Sequence, residues 1–301
     1  MADPIQTDCE ALIIGAGPAG LMAAVYLARF KRKTLIVDAG ASRAALIPRS
    51  YNLPAFTRGI SGTELLASMK EQAAGFGVRI VDATIETLSR DDEYFVATTS
   101  NERIRSAKVV LATGIVDKQP PLTDWLTAVE EGLLRYCPIC DAFEAAGKRI
   151  GVIGPLHHAA SKALFLRSFT ADVTVIPTEN VHDPALVAKL ETAAVRTTAA
   201  LAQLQKAGRR IRALLNDGLS SDFDLVYPAM GSEVRSGLAL ALGADHTPEG
   251  FLNVDQKQQS TIAGLYGVGD VVSDLHQISV AFGHAAVAAC HIHGALPSEY
   301  V

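Results

Sequence analysis

The clearest fold signal in this sequence lies in residues 10–39, which read EALIIGAGPAGLMAAVYLARFKRKTLIVDA. An apolar run, a glycine-rich turn, an amphipathic helix and a second apolar run follow one another in the order of a βαβ unit. The turn is a G-x-G-x-x-G with its glycines at Gly15, Gly17 and Gly20. This turn directly follows a predicted strand and directly precedes a predicted helix, and only in that context is the pattern informative.

Each residue of this turn has a physical task. Gly15 permits the tight turn, Gly17 lets the backbone approach a pyrophosphate, and Gly20 lets helix and strand pack closely. The acid at the end of the second apolar run, Asp38, is placed to accept hydrogen bonds from a ribose. The pattern predicts a dinucleotide site, and the alternative is a glycine turn without a ligand.

A second copy of this unit follows later in the chain. Residues 149–178, RIGVIGPLHHAASKALFLRSFTADVTVIPT, match the first copy at a constant offset of 139, the difference between Ile14 and Ile153. Each copy reads as a strand, a tight turn, a helix and a second strand. The sequence therefore predicts an α/β fold with two Rossmann-like, three-layer nucleotide-binding domains.

Polar breaks indicate how these domains are arranged. The strand-like run at 109–114 is followed by DKQPP, and the run at 225–233 ends in a similar break. Residues 264–271 read as a further buried strand, followed by a small-residue helix from about Ile278, without a nucleotide turn. We expect this last piece to complete the first domain, so that residues 1–116 and 234–301 form one domain and residues 117–233 are inserted in it.

Composition and charge exclude several classes of protein. The chain has 301 residues, which at roughly 150 residues per domain suggests two domains. With 49% hydrophobic and 20% charged residues it is not a disordered chain. A net charge of −5 argues against nucleic acid as the main ligand.

The uncharged residues 11–28 are long enough for a membrane helix, but the glycine break divides them into a strand and a helix. We expect a cytoplasmic protein that binds no membrane.

A cysteine pair carries the clearest chemistry. Cys137-Pro138-Ile139-Cys140 is a C-x-x-C, and Asp141 follows it directly. Cysteines at this spacing can close a small disulfide at the start of a helix, where a thiolate is stabilised. A neighbouring carboxylate can move the proton that thiol exchange requires. Half a zinc site is the weaker interpretation because no second such pair exists, so no metal is assigned; two unrelated buried cysteines are the other alternative.

The motifs together resemble one family, the low-molecular-weight thioredoxin reductases. They are GAGPAG at 15–20, ATG at 112–114, CPICD at 137–141, GVGDV at 267–271 and HQISVAFGHAA at 276–286. The resemblance keeps the motif order over essentially the whole chain. It implies an FAD-binding domain, formed by residues 1–116 and 234–301, interrupted by a pyridine-nucleotide-type domain that carries the cysteine pair. It also implies a homodimer.

The resemblance implies roles for individual residues. Cys140 should face the flavin, Cys137 should attack the external substrate, and Asp141 should be the acid–base residue. The cofactor contacts that it implies are Gly15, Gly17, Pro18, Ala19, Gly20, Asp38, Asn52, Ala112, Thr113, Gly114, Gly269, Asp270, Gln277 and Ile278. Among these, Gln277 and Ile278 match the helix start beneath the flavin pyrimidine, where a helix N-terminus stabilises negative charge.

The second nucleotide turn departs from the family pattern. The offset takes Gly17 to Leu156 and Asp38 to Pro177. We expect Leu156 to place a branched side chain where a pyrophosphate should meet bare backbone, and Pro155 removes an amide donor.

The arginines that hold the NADPH 2′-phosphate in the family are also missing. The family motif is His-Arg-Arg followed three residues later by Arg, and the matching positions are Pro177, Thr178, Glu179 and Asp183, so all three arginines are absent and two are replaced by acids. Each charge-assisted contact is worth roughly 1.5–3 kcal/mol, so losing two costs roughly 3–6 kcal/mol of binding. Glu179 could instead hold the ribose of NADH.

The sequence therefore predicts an FAD-dependent disulfide oxidoreductase that exchanges electrons between flavin and the Cys137/Cys140 pair and does not use NADPH. Ferredoxin, oxygen or another ligand, such as a second flavin or nucleotide in the degraded site, would take its place. A thioredoxin-like protein or a small dithiol or disulfide is the expected partner. Two alternatives stay open: a conventional NAD(P)H-dependent thioredoxin reductase, and a non-catalytic flavin-binding redox sensor.

Overall fold

The structure, a computed structural model, describes residues 5–180 and 183–297. It divides into two compact units. The first comprises the chain up to Ala45, Ser61–Val116 and the chain from Glu233 onward, and the second comprises Leu46–Ile60 and Asp117–Ser232. The sequence prediction placed Leu46–Ile60 in the first domain. This segment holds turns and one isolated bridge between Ser50 and Ile60 instead of a sheet strand, so no pattern indicates its unit.

The strands are β1 (Ile5–Ile14), β2 (Thr34–Asp38), β3 (Arg79–Asp82), β4 (Thr87–Asp91), β5 (Tyr94–Thr98), β6 (Glu102–Leu111), β7 (Ile115–Asp117), β8 (Ile150–Gly154), β9 (Val173–Pro177), β10 (Arg196–Thr197), β11 (Leu201–Ala207), β12 (Arg210–Leu215), β13 (Ser220–Phe223), β14 (Leu225–Pro228), β15 (Ser232–Val234) and β16 (Leu265–Gly267). The helices are α1 (Pro18–Arg29), α2 (Gly62–Gly75), α3 (Trp125–Glu130), α4 (Pro138–Asp141), α5 (Leu156–Leu166), α6 (Pro184–Thr192), α7 (Gly237–Leu240) and α8 (Ile278–Gly294). Short 3₁₀ turns cover Arg43–Leu46 and Gly269–Val271.

The first unit is built on a mixed sheet in the order β3-β2-β1-β6-β5-β4. β3, β2, β1 and β6 run parallel, and β16 pairs parallel with the end of β6. β5 and β4 continue the sheet antiparallel from the first half of β6. Because β1, β6 and β16 run parallel, their carboxyl ends meet at one edge, which is where ligands bind in sheets of this type.

The second unit repeats the parallel part of this plan. Its four-stranded sheet has the order β10-β9-β8-β14, and β11, β12 and β13 form a separate antiparallel sheet. The side chains of β8 and β9 are buried along their whole length, as expected for strands covered on both faces.

The internal repeat is preserved in the hydrogen-bond register. β1 pairs with β2 at Ile14 and Val37, and β8 pairs with β9 at Ile153 and Ile176. The offset of 139 between Ile14 and Ile153 takes the first pair onto the second, and it takes the bounds of β2 onto those of β9. The prediction of two Rossmann-like units in an α/β fold is confirmed.

The uncharged run and the small-residue stretch from about Ile278 fold as separate elements. Residues 11–28 form the end of β1 and most of α1, and the small-residue stretch forms α8. None of the helices in the described ranges is long and apolar enough to cross a membrane.

One buried arginine links the two ends of the chain within the first unit. Arg32, whose side chain is 6% exposed, donates to Glu10 Oε1 at 2.9 Å and to the backbone oxygens of His293 and Pro297. A buried charge is tolerated only when it is paired and hydrogen-bonded, and here the guanidinium has these partners. The end of α8 is thereby fixed to the segment between α1 and β2.

Candidate active site

The predicted cysteine pair is joined in the structure. Cys137 and Cys140 form a disulfide with their Cα atoms 5.3 Å apart, and Cys9 and Cys290 are free. Cys137 is the N-cap of α4, a helix of four residues, and its carbonyl accepts from Cys140 N at 3.0 Å. Both cysteines are half-buried. The alternative of two unrelated buried cysteines is therefore excluded.

Asp141 lies at the end of α4 and is held from two sides. Its Oδ1 accepts a hydrogen bond from the Tyr227 hydroxyl at 2.7 Å. Its Oδ2 lies 4.0 Å from Arg135 Nε, and Arg135 Nη1 donates to its backbone oxygen at 3.1 Å. Burial raises the pKa of the Asp141 carboxyl above its ordinary value, although Tyr227 and Arg135 oppose the shift. A raised pKa makes this carboxyl a better proton acceptor than an ordinary aspartate, as a base in thiol exchange requires.

A lysine on α5 ties the two chain segments that meet here. Lys162 Nζ donates to the backbone oxygen of Tyr136 at 3.0 Å and to that of Pro228 at 2.5 Å. Tyr136 directly precedes Cys137, and Pro228 directly follows Tyr227. The sequence analysis missed Arg135, Lys162 and Tyr227. The available signal was a tyrosine inside the otherwise apolar strand β14.

Large apolar side chains are exposed around the disulfide. Ile139, between the two cysteines, is 55% exposed, and Phe143, two residues after Asp141, is 79% exposed. Exposed apolar groups beside a reactive group are typical of a surface that meets a partner.

The first glycine turn fits a dinucleotide. A Cβ at Gly15, where φ is +106°, would lie 2.5 Å from the Ala112 oxygen, and a Cβ at Gly20 would lie 1.9 Å from the Gly15 oxygen. Both glycines are therefore required by the fold. A Cβ at Gly17, by contrast, would meet only Ser42 Oγ at 3.4 Å. The protein itself does not need a glycine at 17, so the bare backbone there is suited to a ligand.

Asp38 has a task within the turn. Its Oδ1 accepts from Ala16 N at 2.9 Å, and its Oδ2 lies 3.8 Å from Lys70 Nζ. The Asp38 carboxylate therefore holds the backbone of the glycine turn at Ala16. Gly17 is the N-cap of α1 and Pro18 its first residue, so the free backbone amides of the first turn point out of the helix at this edge.

Other residues of the predicted cofactor set converge on the same edge. A Cβ at Gly269 would lie 2.9 Å from the Ala19 Cβ, which places the Gly269–Val271 turn directly against α1. Asp270 Oδ2 in this turn lies 3.7 Å from Arg43 Nη1. The Ala112–Gly114 segment follows β6, and Thr113 Oγ1 donates to the Arg235 oxygen at 2.5 Å.

Of the three remaining residues predicted to contact the cofactor, two lie at the start of α8 and the third lies in the second unit. Gln277 is the N-cap of α8 and Ile278 its first residue. α8 packs against the Gly269–Val271 turn, which brings its beginning to the edge described above. Asn52 belongs to the second unit, where its Oδ1 accepts from Ser50 Oγ at 2.8 Å. Its contact with a cofactor stays a prediction.

One buried polar atom on α8 has no partner among the residues that the structure describes. It is Nδ1 of His284, which lies within the electrostatic reach of Asp270. Burial lowers the pKa of His284 from its ordinary value. An orphaned polar atom beside the turn at Asp270 and an open glycine backbone at Gly17 both fit a bound polar ligand such as FAD.

The second turn differs from the first in where its helix begins. α5 starts at Leu156, the position that matches Gly17, and its N-cap is Pro155. Leu156 is only 5% exposed and packs in the core of the second unit. The expectation that its side chain fills the pyrophosphate space is therefore wrong. Because α5 begins at this residue, the side chain points into the core.

An acid lies beside the start of α5. Asp183 caps α6 by accepting from Leu186 N at 2.9 Å, and its Oδ2 lies 3.6 Å from His157 Nε2. His157 is the second residue of α5, so a carboxylate stands near the helix end that attracts anions in Rossmann-like domains. Glu179, after β9, is exposed.

The two Rossmann-like units and the Cys137–Cys140 disulfide define a class, the two-domain disulfide oxidoreductases. Comparison with known proteins agrees: residues 10–285 match the family described as pyridine nucleotide-disulphide oxidoreductase. The chain belongs to this family, and it is a flavin-dependent disulfide oxidoreductase of the thioredoxin reductase type. The family resemblance stated from the sequence is confirmed.

Individual relatives match over nearly the whole chain. The thioredoxin reductase of Treponema pallidum is 28% identical over 298 residues, which cover 95% of this chain and 96% of the relative. The crystal structure of thioredoxin reductase from Streptococcus pyogenes gives a TM-score of 0.87 at 24% identity, covering 96% and 98% of the two chains. The atypical thioredoxin reductase TRi from Desulfovibrio vulgaris Hildenborough is 31% identical, covering 95% and 97%, with a TM-score of 0.54.

Proposed function

We propose that this chain moves two electrons between FAD and the Cys137/Cys140 pair without using NADPH. The residues that would hold FAD are those of the carboxyl edge of the first sheet, with Gly17 at its pyrophosphate and Asp270 at its ribityl chain. Bound there, FAD supplies two-electron transfer chemistry to the disulfide.

One observation carries the part of the proposal that concerns NADPH. It is the 3.6 Å approach of Asp183 to His157 at the start of α5. A nucleotide phosphate would have to bind next to this carboxylate. The same carboxylate caps α6, so it cannot turn away without exposing the end of that helix.

The residues around Asp183 support the same conclusion. Pro155, as the N-cap of α5, offers no amide to a phosphate. Thr178, Glu179 and Asp183 stand where the family's NADPH-dependent members carry arginines, and none of them supplies a positive charge to a 2′-phosphate.

The chemistry at the cysteine pair is thiol–disulfide exchange. The Cys137 thiolate attacks an external disulfide, one S–S bond forms and one breaks, and the leaving thiolate carries away the electron pair. Cys140 then loses its proton to Asp141, attacks the Cys137 sulfur and restores the internal disulfide. Asp141 passes the proton to the departing thiolate, so protons and electrons balance. The same steps run in reverse when the chain oxidises a dithiol.

The proposed partner is a thioredoxin-like protein or a small dithiol or disulfide. The exposed side chains of Ile139 and Phe143 beside the disulfide support an apolar contact with such a partner. The name of the Treponema pallidum relative supports thioredoxin. The proposal also includes the source and the acceptor of the electrons, with ferredoxin as donor or oxygen as acceptor. It includes a second flavin or nucleotide bound in the second unit, and a homodimer.

Anaerobic mixing of the flavin-loaded protein with a pyridine nucleotide tests the proposal. We expect NADPH and NADH to leave the visible flavin absorbance unchanged, whereas dithiothreitol, acting through the disulfide, bleaches it. Rapid bleaching by NADPH would instead establish a conventional thioredoxin reductase. Bleaching by NADH alone would favour a second candidate, an NADH-dependent enzyme in which the exposed Glu179 binds the ribose.

A cysteine variant separates an enzyme from a redox sensor. We expect Cys137→Ser to abolish exchange with a disulfide reagent while the protein keeps its flavin. Unchanged exchange in this variant would contradict the role of the pair.

A further inference from the structure

The hydroxyl of Tyr227 is buried next to the cysteine pair. Tyr227 is 0% exposed. It belongs to the apolar core of the second unit, which also contains Ala142 and residues of β8, the strand that pairs with β14. A hydroxyl removed from water costs free energy unless it keeps a partner. The partner is Asp141, whose Oδ1 accepts from the hydroxyl at 2.7 Å.

This contact fixes the direction of a carboxylate that a single-turn helix alone would leave free. α4 ends at Asp141, and Tyr227 lies on β14, a core strand of the same unit. Lys162 binds the backbone on both sides of the contact, at Tyr136 and Pro228. The tyrosine therefore has little freedom to move away from the carboxylate.

We propose that Tyr227 is a positioning residue for thiol–disulfide exchange, which fixes the carboxylate of Asp141, the residue after Cys140, and favours its ionised form. The inference rests on the proposed role of Asp141 as the acid–base residue. A donor to an ionised carboxylate stabilises that form relative to the protonated one.

The direction of the effect on pH dependence follows. Burial is the largest influence on Asp141 and raises its pKa, and the Tyr227 hydrogen bond lowers it. The other charged groups that act on this carboxyl are Arg135 and Lys162, which lower the pKa, and Glu144, which raises it. Removing the Tyr227 hydroxyl therefore raises the pKa of Asp141 further. A step that needs Asp141 as a base and one that needs it as an acid both shift to higher pH.

The test compares two hydroxyl deletions. Tyr227→Phe removes the proposed contact, and Tyr266→Phe is the matched control, because Tyr266 is also 0% exposed and its hydroxyl contacts His291 Nδ1 at 3.0 Å in the first unit. The flavin-loaded protein is reduced with dithiothreitol, freed of excess reagent and mixed with dithiobis-nitrobenzoate. The rate of the second release of coloured thiolate, in which Cys140 resolves the mixed disulfide, is measured across pH.

We expect Tyr227→Phe to shift the pH profile upward by about one pH unit, the size of a hydrogen bond to a charged group. Tyr266→Phe should keep the wild-type profile. A Tyr227→Phe profile that coincides with the wild type overturns the inference. If Tyr227→Phe does not fold, fluorotyrosine introduced at this position is the second variant. As a stronger donor of nearly the same shape it should shift the profile downward, and an unshifted profile would again overturn the inference.

An Asp141→Asn variant separates this inference from the proposed function. Asp141→Asn should remove the part of the pH dependence of the exchange rate that reflects Asp141. The double variant with Tyr227→Phe should then show the same pH dependence as Asp141→Asn alone. An unaltered profile in Asp141→Asn would refute the role of Asp141 itself. An altered profile in Asp141→Asn, together with an unaltered one in Tyr227→Phe, would refute only the positioning role.

Discussion

Arg32 Nε donates a hydrogen bond to His293 Nδ1 over 3.0 Å, and the imidazole also stacks on Phe30 with ring centroids 4.7 Å apart. Because Nδ1 accepts from the guanidinium, the proton of the neutral imidazole is on Nε2. The contact joins the segment after α1 to the end of α8. Both helices begin at the sheet edge that carries the glycine turn.

Replacing this arginine should destabilise the protein. Arg32→Ala would leave the backbone oxygens of His293 and Pro297 without a donor and Glu10 without its ion-pair partner. We expect a loss of about 3 kcal/mol in the free energy of unfolding, measured in urea. The matched control is Arg29→Ala, which removes an exposed arginine at the end of α1, three residues before Arg32, and should cost under about 1 kcal/mol. Equal losses in both variants would contradict this account.

Two glycine variants should separate ligand binding from folding. Gly17→Ala adds a Cβ that meets only Ser42 Oγ at 3.4 Å, so the variant should fold with a melting temperature near that of the wild type but retain little flavin. Gly20→Ala places a Cβ 1.9 Å from the Gly15 oxygen and should reduce soluble, folded protein. Flavin released per chain and thermal melting are the measurements. Full flavin content in Gly17→Ala would argue that the cofactor does not contact this residue.

A charge change at α6 should alter the affinity for phosphates. Asp183→Asn keeps a side-chain oxygen for the Leu186 amide but removes the negative charge near the start of α5. We expect about two- to fivefold tighter binding of NADPH in a calorimetric titration, the effect of one charge at a helix terminus. Asp183→Ala also loses the cap and should lower the melting temperature as well. An unchanged NADPH affinity in Asp183→Asn would show that the carboxylate does not repel the nucleotide.

His284 should make the protein sensitive to acid. Burial lowers its pKa in the folded chain, so below the unfolded pKa of about 6.5 the unfolded state binds a proton that the folded state does not. Its contribution to stability is therefore present above that pH and is lost as pH falls toward the folded value. His284→Gln should lose less stability than the wild type between neutral and mildly acidic pH in urea unfolding. His158→Gln, at an exposed position of α5, is the control.

Sequence reasoning was most successful where a pattern is set by burial or by a close approach of backbones. The two βαβ units were predicted because residues 11–14 of β1 and all of β8 are apolar and each run ends in a glycine. The structure gives the reason for these glycines: Gly15 and Gly154 both face a backbone oxygen that excludes a Cβ, at Ala112 and Ala229. The C-x-x-C spacing likewise predicted a pair that the structure joins. These signals are local, so they can be read from a single chain.

The failures concern side-chain direction and contacts between distant residues. The Leu156 side chain was assigned to the ligand space because its position matches Gly17, but α5 begins at Leu156 whereas α1 begins one residue after Gly17. A shift of one residue at a helix start rotates a side chain by about 100°. The Tyr227–Asp141 contact joins residues 86 positions apart, so the tyrosine within apolar β14 can be noticed in the sequence but its partner cannot.

The burial of Leu156 also sets a stability cost on reopening the second turn. A glycine at this position would remove a core side chain and leave a cavity, and changes of this kind cost about 2–5 kcal/mol. A domain is stable by only about 5–15 kcal/mol, so this one substitution would remove a large part of that stability. Opening the turn with a glycine at 156 therefore requires a second change that refills the core space of Leu156.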